Sequence, residues 1–379
     1  MKKMLYILNV AKGINSFSYA SICAAKAMGI EFHIAGNWGY ASEEERQKDE
    51  EKYGIHIHQI DFIRAPYDFR NRKAMRQLRE AIDREKFDVI HCNTPVGGLL
   101  GRLAGKKCGV KKVIYQVHGF HFYKGAPFLN WLIYYPIERF LARYTDTLIT
   151  INREDYNFAQ RLKLRNRGKV YYVPGVGIDT EEFQYDSVVH ESKRKELGLS
   201  NDEIMLISAG ELNENKNNRV IISALSVAKD PKIKYFLCGV GEQKETLREQ
   251  TERVGLGQQV HFLGYRQDMK ELLQAADVFV MPSFREGLSR SIMEAMSCGL
   301  PCVVSKIRGN EDLVEEGLGG FLRAPEDVSG FAKAIKQISE NAQLRQKMRE
   351  YNLEQIKKFD VSVVEKELCG IYTEMLQEH

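Results

Sequence analysis

Short apolar runs recur along this chain, separated by segments with the length and polarity of helices, and this alternation limits the folds open to it. Met4–Asn9, Phe32–Ala35, Ile55–Ile60, Val89–Cys92, Val113–Val117, Thr147–Ile151 and Val170–Val173 are short, largely apolar runs that read as strands. Ser18–Met28, Ala74–Arg84 and Thr94–Cys108 place apolar residues at helical spacing. Strands joined through helices run parallel, and a parallel sheet is covered on both faces. A second series begins near residue 200, with Ile204–Ala209, Tyr235–Cys238, Val260–Leu263, Val278–Met281 and Pro301–Ser305 as its strands. The turn-rich segment Pro174-Gly-Val-Gly-Ile-Asp-Thr separates the two. At 379 residues the chain exceeds one ordinary core. The pattern predicts an α/β protein of two Rossmann-like domains, 1–179 and 180–359, facing each other across a cleft. A C-terminal helix within 360–379 can pack back on the first domain.

Composition excludes several classes. Fifty-five Lys and Arg against 51 Asp and Glu give a net charge of +4, and no nucleic-acid motif accompanies the basic segments. The seven cysteines include no Cys-x-x-Cys pair and read as reduced thiols. The apolar run at the N-terminus stops at Asn9 and Lys12 without a cleavage site, and no uninterrupted apolar stretch is long enough to span a membrane. The expectation is a cytoplasmic protein. His56 and His58 point the same way on a strand but nothing joins them, and there is no Asp-x-Asp pair, so no metal is expected. The first strand–helix turn lacks Gly-x-Gly-x-x-Gly, which disfavours a dehydrogenase.

The chemistry concentrates in Pro282-Ser-Phe-Arg-Glu-Gly-Leu-Ser-Arg-Ser-Ile-Met-Glu-Ala-Met-Ser-Cys-Gly-Leu-Pro-Cys-Val-Val, ending at Val304. A strand feeds a turn at Gly287, and a helix starts near Ser289. The open N–H groups of Gly287, Leu288, Ser289 and Arg290 make an anion site. Glu286 on the loop and Glu294 on the helix bracket it, for sugar and ribose hydroxyls respectively.

This stretch closely resembles the Glu-x7-Glu signature of the retaining family-4 glycosyltransferases, with Ser289 where proline is usual and Cys302 where valine is usual. The resemblance extends along nearly the whole chain. Ser208-Ala-Gly-Glu-Leu-Asn-Glu-Asn-Lys-Asn is similar to the family's donor loop, which places Gly210 and Lys216 at a diphosphate. Val260–Arg266 resembles the segment facing the base, and Ile307–Leu313 followed by Gly319-Gly-Phe-Leu322 the loop over the donor. Lys12-Gly13 matches the loop after the first strand, and His118-Gly-Phe-His-Phe the histidine motif whose side chain reaches the donor sugar. The family fold is GT-B. The resemblance implies donor contacts from Gly13, Gly210, Lys216, Arg266, Glu286, Gly287, Leu288, Ser289, Arg290 and Glu294, with His118, Glu286 and Lys216 in catalysis. Glu211 stands where the family usually has a phosphate-binding arginine, so Arg290, or less favourably Arg285, must supply that charge.

The variants present look like those of bacterial capsule and exopolysaccharide enzymes. They imply a UDP-sugar donor, a polyprenyl-diphosphate-linked acceptor and no cofactor or metal. The aromatic stretch Phe120–Tyr135 and the basic stretch Arg64–Arg76 fit an anionic membrane surface on the cytoplasmic side, with Phe128 and Trp131 as candidate lipid contacts. A nucleotide-sugar epimerase or phosphorylase-like enzyme on the same scaffold, or a degenerate nucleotide-sugar binding protein, is the alternative.

Overall fold

Every strand pairing among the described residues, 1–377, is parallel in the computed structural model. The strands form two sheets in two units. Of the described residues, one unit holds Met1 to Gly177 together with Val361–Gln377; the other is Ile178–Asp360. This is the GT-B architecture: two α/β units, each a parallel sheet with helices on both faces.

In the first unit, β1 (Lys3–Val10), β2 (Glu31–Asn37), β3 (His56–Gln59), β4 (Val89–Asn93), β5 (Lys112–Val117), β6 (Thr147–Thr150) and β7 (Lys169–Tyr172) lie in the order 3-2-1-4-5-6-7. Alternate side chains enter two separate cores. Leu5, Ile7, Ile90, Cys92 and Val113 face one, while Met4, Tyr6, Val89 and Ile114 face the other. Helix Pro95–Lys107 lies close against the sheet because its inward face is glycine. A Cβ on Gly98 would stand 2.3 Å from the Tyr115 ring, and one on Gly101 would stand 2.5 Å from Cys92 Sγ.

In the second unit, β8 (Ile204–Ala209), β9 (Ile233–Cys238), β10 (Val260–Gly264), β11 (Val278–Met281), β12 (Cys302–Ser305) and β13 (Gly320–Arg323) lie in the order 10-9-8-11-12-13. Met205, Ile207 and Phe279 enter one core; Leu206, Val278 and Val280 enter the other. Residues 319–322, read from sequence as part of a donor loop, instead supply most of edge strand β13, paired with β12. All seven cysteines are free thiols.

Helix Val361–Gln377 completes the first unit. Its Val364, Leu368, Ile371, Tyr372 and Met375 are buried in the core that holds Met4, Tyr6 and Phe32. Tyr372 also locks the helix to β4, with its hydroxyl 2.9 Å from His91 Nδ1 while His91 Nε2 lies 3.1 Å from Gln116 Oε1. A neutral ring satisfies both contacts, donating from Nε2 and accepting at Nδ1. Burial, with a smaller push from His118, takes the His91 pKa down from 6.5 to about 3. The unfolded chain protonates this ring below about 6.5 and the folded chain resists, so its stabilisation is present above that pH and is lost as pH falls. Urea-unfolding free energy should therefore decline on acidification from pH 6.5 towards 4, by up to about 1.4 kcal/mol per pH unit from this group. A His91→Gln variant should show a visibly shallower decline, measured by urea titrations at stepped pH.

Candidate active site

Strand order reverses direction between β1 and β4 in the first unit and between β8 and β11 in the second. Loops leaving such neighbouring strands diverge, which opens a crevice at their carboxyl ends. In the second unit, the loop after β8 carries Gly210, Glu211 and Lys216, and the loop after β11 carries Glu286, Gly287, Leu288 and Ser289. Lys216 Nζ donates to Glu286 Oε1 at 2.8 Å, with the two side chains 21% and 15% exposed. The stem of Lys216 lies over Gly210, where an added Cβ would stand 3.0 Å from Cε.

The two loops are also laced through their backbones. Phe284 N donates to Asn215 O at 2.8 Å, and Asn215 Nδ2 to Arg285 O at 3.0 Å. Asn217 Nδ2 reaches both Pro282 O and Pro325 O. Arg308, buried in the turn after β12, donates from Nε to Glu286 O at 3.3 Å. Its neighbour Gly309 has φ +79 and packs so closely that a Cβ would stand 2.1 Å from Gly287 O. The backbone at 286–287 is thus held from both sides.

Ser289 caps helix Arg290–Ser297, its Oγ accepting from Ile292 N. Arg290 turns along that helix and donates from Nε to Glu294 Oε1 at 2.8 Å. Burial raises the Glu294 carboxyl above the usual range, and Arg290 opposes the shift. Arg285 and Glu211 are exposed. Arg266 forms a two-pronged pair with Asp268, at 2.7 and 2.6 Å, and this pair, helped by Lys193, holds the Asp268 carboxyl well below its usual range.

In the first unit, Gly13 lies on the loop after β1, where the next N–H, of Ile14, donates to Asp49 Oδ2 at 3.0 Å. His118 follows β5, and its Nε2 donates to Oδ1 of Asn93, the last residue of β4, at 3.0 Å. Its Nδ1 is sheltered and without a partner. Burial pushes the ring pKa down to about 4, so at neutral pH Nδ1 is a hydrogen-bond acceptor rather than part of a cation. Beside it Thr94 has φ +63 and ψ 159, a region that costs a non-glycine residue about 1–3 kcal/mol. His118 and Thr94 line a cavity of about 280 Å³ together with Pro66, Tyr115, Tyr134 and Glu138.

One wall of the cavity is fixed by Arg102, whose side chain is 1% exposed. Its guanidinium binds both Glu138 oxygens, at 2.8 and 3.1 Å, and stacks on Tyr115. Glu138 belongs to helix Phe128–Leu141, whose outer face exposes Phe128, Leu129, Leu132, Ile133, Ile137 and Phe140. The expectation of Trp131 as a lipid contact is corrected. Trp131 packs inward against Phe122, Tyr135 and Phe158, because the aromatic cluster under the helix claims that face. His121 stacks on Tyr134.

Residues 12–175 match the family described as Glycosyl transferase 4-like domain, and 189–355 match Glycosyl transferases group 1. EpsD of Bacillus subtilis (strain 168), provisionally named a glycosyltransferase, is 35% identical over 377 residues, covering 98% of this chain and 96% of its own. The chain belongs to the group 1 glycosyltransferase family. An Escherichia coli relative of this glycosyltransferase, UDP-Gal:alpha-D-GlcNAc-diphosphoundecaprenol alpha-1,3-galactosyltransferase, is 32% identical over 71% of this chain and 70% of its own. Among solved structures, Anabaena HepE has the same fold at TM-score 0.80, with 20% identity over 99% of this chain and 100% of that one.

Three features of this glycosyltransferase escape sequence reasoning: Asn93 under His118, Arg308 under Glu286, and the buried Arg102–Glu138 pair. Arg308-Gly309 directly after an apolar strand was the available signal for the second; nothing in the sequence pairs Arg102 with Glu138. Removing one member of such a pair strands a buried charge. Glu138→Ala should therefore lower unfolding free energy by about 3–5 kcal/mol, read by chemical denaturation, whereas exposed Glu80→Ala should leave it nearly unchanged.

Proposed function

We propose that this glycosyltransferase moves a hexose or N-acetylhexosamine from a UDP-sugar, with retention, to a polyprenyl-diphosphate-linked saccharide in capsule or exopolysaccharide biosynthesis. The observation that carries the reading is the Lys216–Glu286 pair at the ends of the two strands flanking the order reversal. A sugar diphosphate offers each member a better partner: anionic oxygens for the ammonium, and sugar hydroxyls for the carboxylate. The E. coli relative's name supports the donor and acceptor classes. A Campylobacter jejuni relative, 26% identical over 62% of this chain, is named for an N,N'-diacetylbacillosaminyl-diphospho-undecaprenol acceptor.

In this proposal the bond from the anomeric carbon to the diphosphate breaks as the acceptor oxygen bonds to the same face, and the acceptor proton passes to the departing diphosphate oxygen. Lys216 and the N–H groups of Gly287 to Arg290 stabilise the charge that develops there. Glu294 takes the ribose hydroxyls, and the Arg290 guanidinium turns from it to replace the arginine missing at Glu211. Neutral His118 accepts a sugar hydroxyl at Nδ1. Lys216→Ala, Glu286→Ala and Arg290→Ala should each reduce kcat/KM roughly ten- to hundredfold, while Arg285→Ala loses less. Wild-type turnover should persist in excess EDTA. A nucleotide-release assay with a panel of UDP-sugars reads both; full activity in the Lys216 and Glu286 variants would refute the site.

No helix among the described residues is long and apolar enough to cross a membrane. Lipid-linked acceptor use then calls for peripheral attachment at the inner face of the cell membrane. Phe128 is 80% and Tyr67 91% exposed, exposed Phe69 lies nearby in sequence among Arg64, Arg70 and Arg72, and Pro66 and Ile137 border the same cavity as His118. Phe128→Ser with Leu132→Ser should leave the fold intact and weaken binding to anionic liposomes about tenfold or more. Unchanged sedimentation with liposomes, or efficient transfer to a free water-soluble sugar, would remove the membrane part of the proposal.

A further inference from the structure

We infer that Glu31, His33 and His56 form a binding site for a zinc-class divalent cation at the amino-terminal ends of β2 and β3. Parallel register sets His33 beside His56 and Ala35 beside His58. Side-chain alternation then gathers Glu31 and His33 from one strand, and His56 and His58 from the next, on one face of the sheet. The expectation that nothing joins His56 and His58 is thereby overturned. The His33 ring centroid lies 4.6 Å from that of His56 and 5.1 Å from that of His58.

The ligand atoms converge. Glu31 Oε1 is 2.8 Å from His33 Nε2 and 3.8 Å from His56 Nε2, and all three lie within 4.8 Å of one another. Tetrahedral zinc, with bonds of about 2.0–2.1 Å, separates adjacent ligands by roughly 3.3 Å, so small side-chain rotations suffice. The contact between Glu31 and His33 uses a proton on Nε2, and the cation takes that proton's place. The neutral His33 ring then carries its one proton on Nδ1 instead and donates it to His58 Nε2, 2.9 Å away; His58 in turn holds its proton on Nδ1, and Arg84 Nη2, 3.5 Å from that atom, turns aside. Lys3 lies 3.3 Å from Glu31 but also 3.2 Å from Glu85, so it keeps a partner when Glu31 turns to a metal. His56, 59% exposed, gives the ion its way in and leaves a fourth position for water.

Two imidazoles and a carboxylate select zinc, nickel or copper over magnesium. The site lies at the strand ends opposite those that carry Gly13, Asn93 and His118, so its role is to clip β3, a four-residue edge strand, to the sheet. This is independent of the metal-free transfer proposed above.

The test uses the full chain after chelator treatment, titrated with zinc or magnesium against a chromophoric zinc chelator and followed by thermal unfolding. One zinc per chain should bind with a dissociation constant on the order of micromolar or tighter, raise the unfolding midpoint, and not be displaced by magnesium. His56→Ala removes an exposed side chain, so the fold should hold; it should weaken zinc binding at least about tenfold and abolish the zinc-dependent shift. His261→Ala, in the other unit, should bind as wild type. Absence of binding below about 100 µM zinc, or wild-type affinity in folded His56→Ala, would overturn the site.

Discussion

A parallel sheet forces every strand to deliver its chain to the same edge, and each return must cross the sheet before the next strand can start. The functional geography of this glycosyltransferase follows from that constraint. Where strand order runs steadily in one direction, successive crossovers pack side by side and leave no opening. Where it reverses, two neighbouring strands send their chains apart. Lys216 and Glu286 follow the two strands that flank the reversal in one unit; in the other, Gly13 follows β1 and Asn93 ends β4. The residues with chemistry to offer stand where the topology leaves room for a ligand.

Position alone does not make a site ready, and here readiness comes from backbone contacts. The ion pair between Lys216 and Glu286 would contribute little if both side chains were free to move, since holding two long side chains costs entropy. The asparagines of the Lys216 loop bind carbonyls of the Glu286 loop, and Arg308 and Gly309 brace the same segment from the far side. A ligand that separates the pair, as proposed, would meet groups already aimed. The neutral His118 ring follows the same logic: Asn93 fixes its tautomer, and burial keeps it uncharged.

Much of this was legible in the sequence, for definite reasons. Alternating strands and helices leave a periodic trace, and a motif such as 282–304 keeps its loop, cap and helix in one continuous stretch. What stayed hidden depends on partners far apart in the chain. Strand register, which sets His33 against His56, has no local signature. The buried Arg102 finds Glu138 only because two helices meet over Tyr115. Strand β13 looked like loop because it opens on Gly320 directly after Gly319, and glycine is scarce in strands. The phase of helix Phe128–Leu141 was unreadable since apolar residues occur on all its sides; the aromatic cluster of Phe122 and Phe158 decides which of them turn inward.

The helix Val361–Gln377 returns the chain, after the whole of the second unit, to the unit that holds Met4 and Phe32. During synthesis, the ribosome releases the whole of Ile178–Asp360 before it releases Tyr372. The nascent first unit must wait with His91 and the core around Met4 and Phe32 uncovered, while the second unit has all of its sequence available. Of the two units, the N-terminal sheet should thus be the later to close and the one in greater need of chaperone protection until it does.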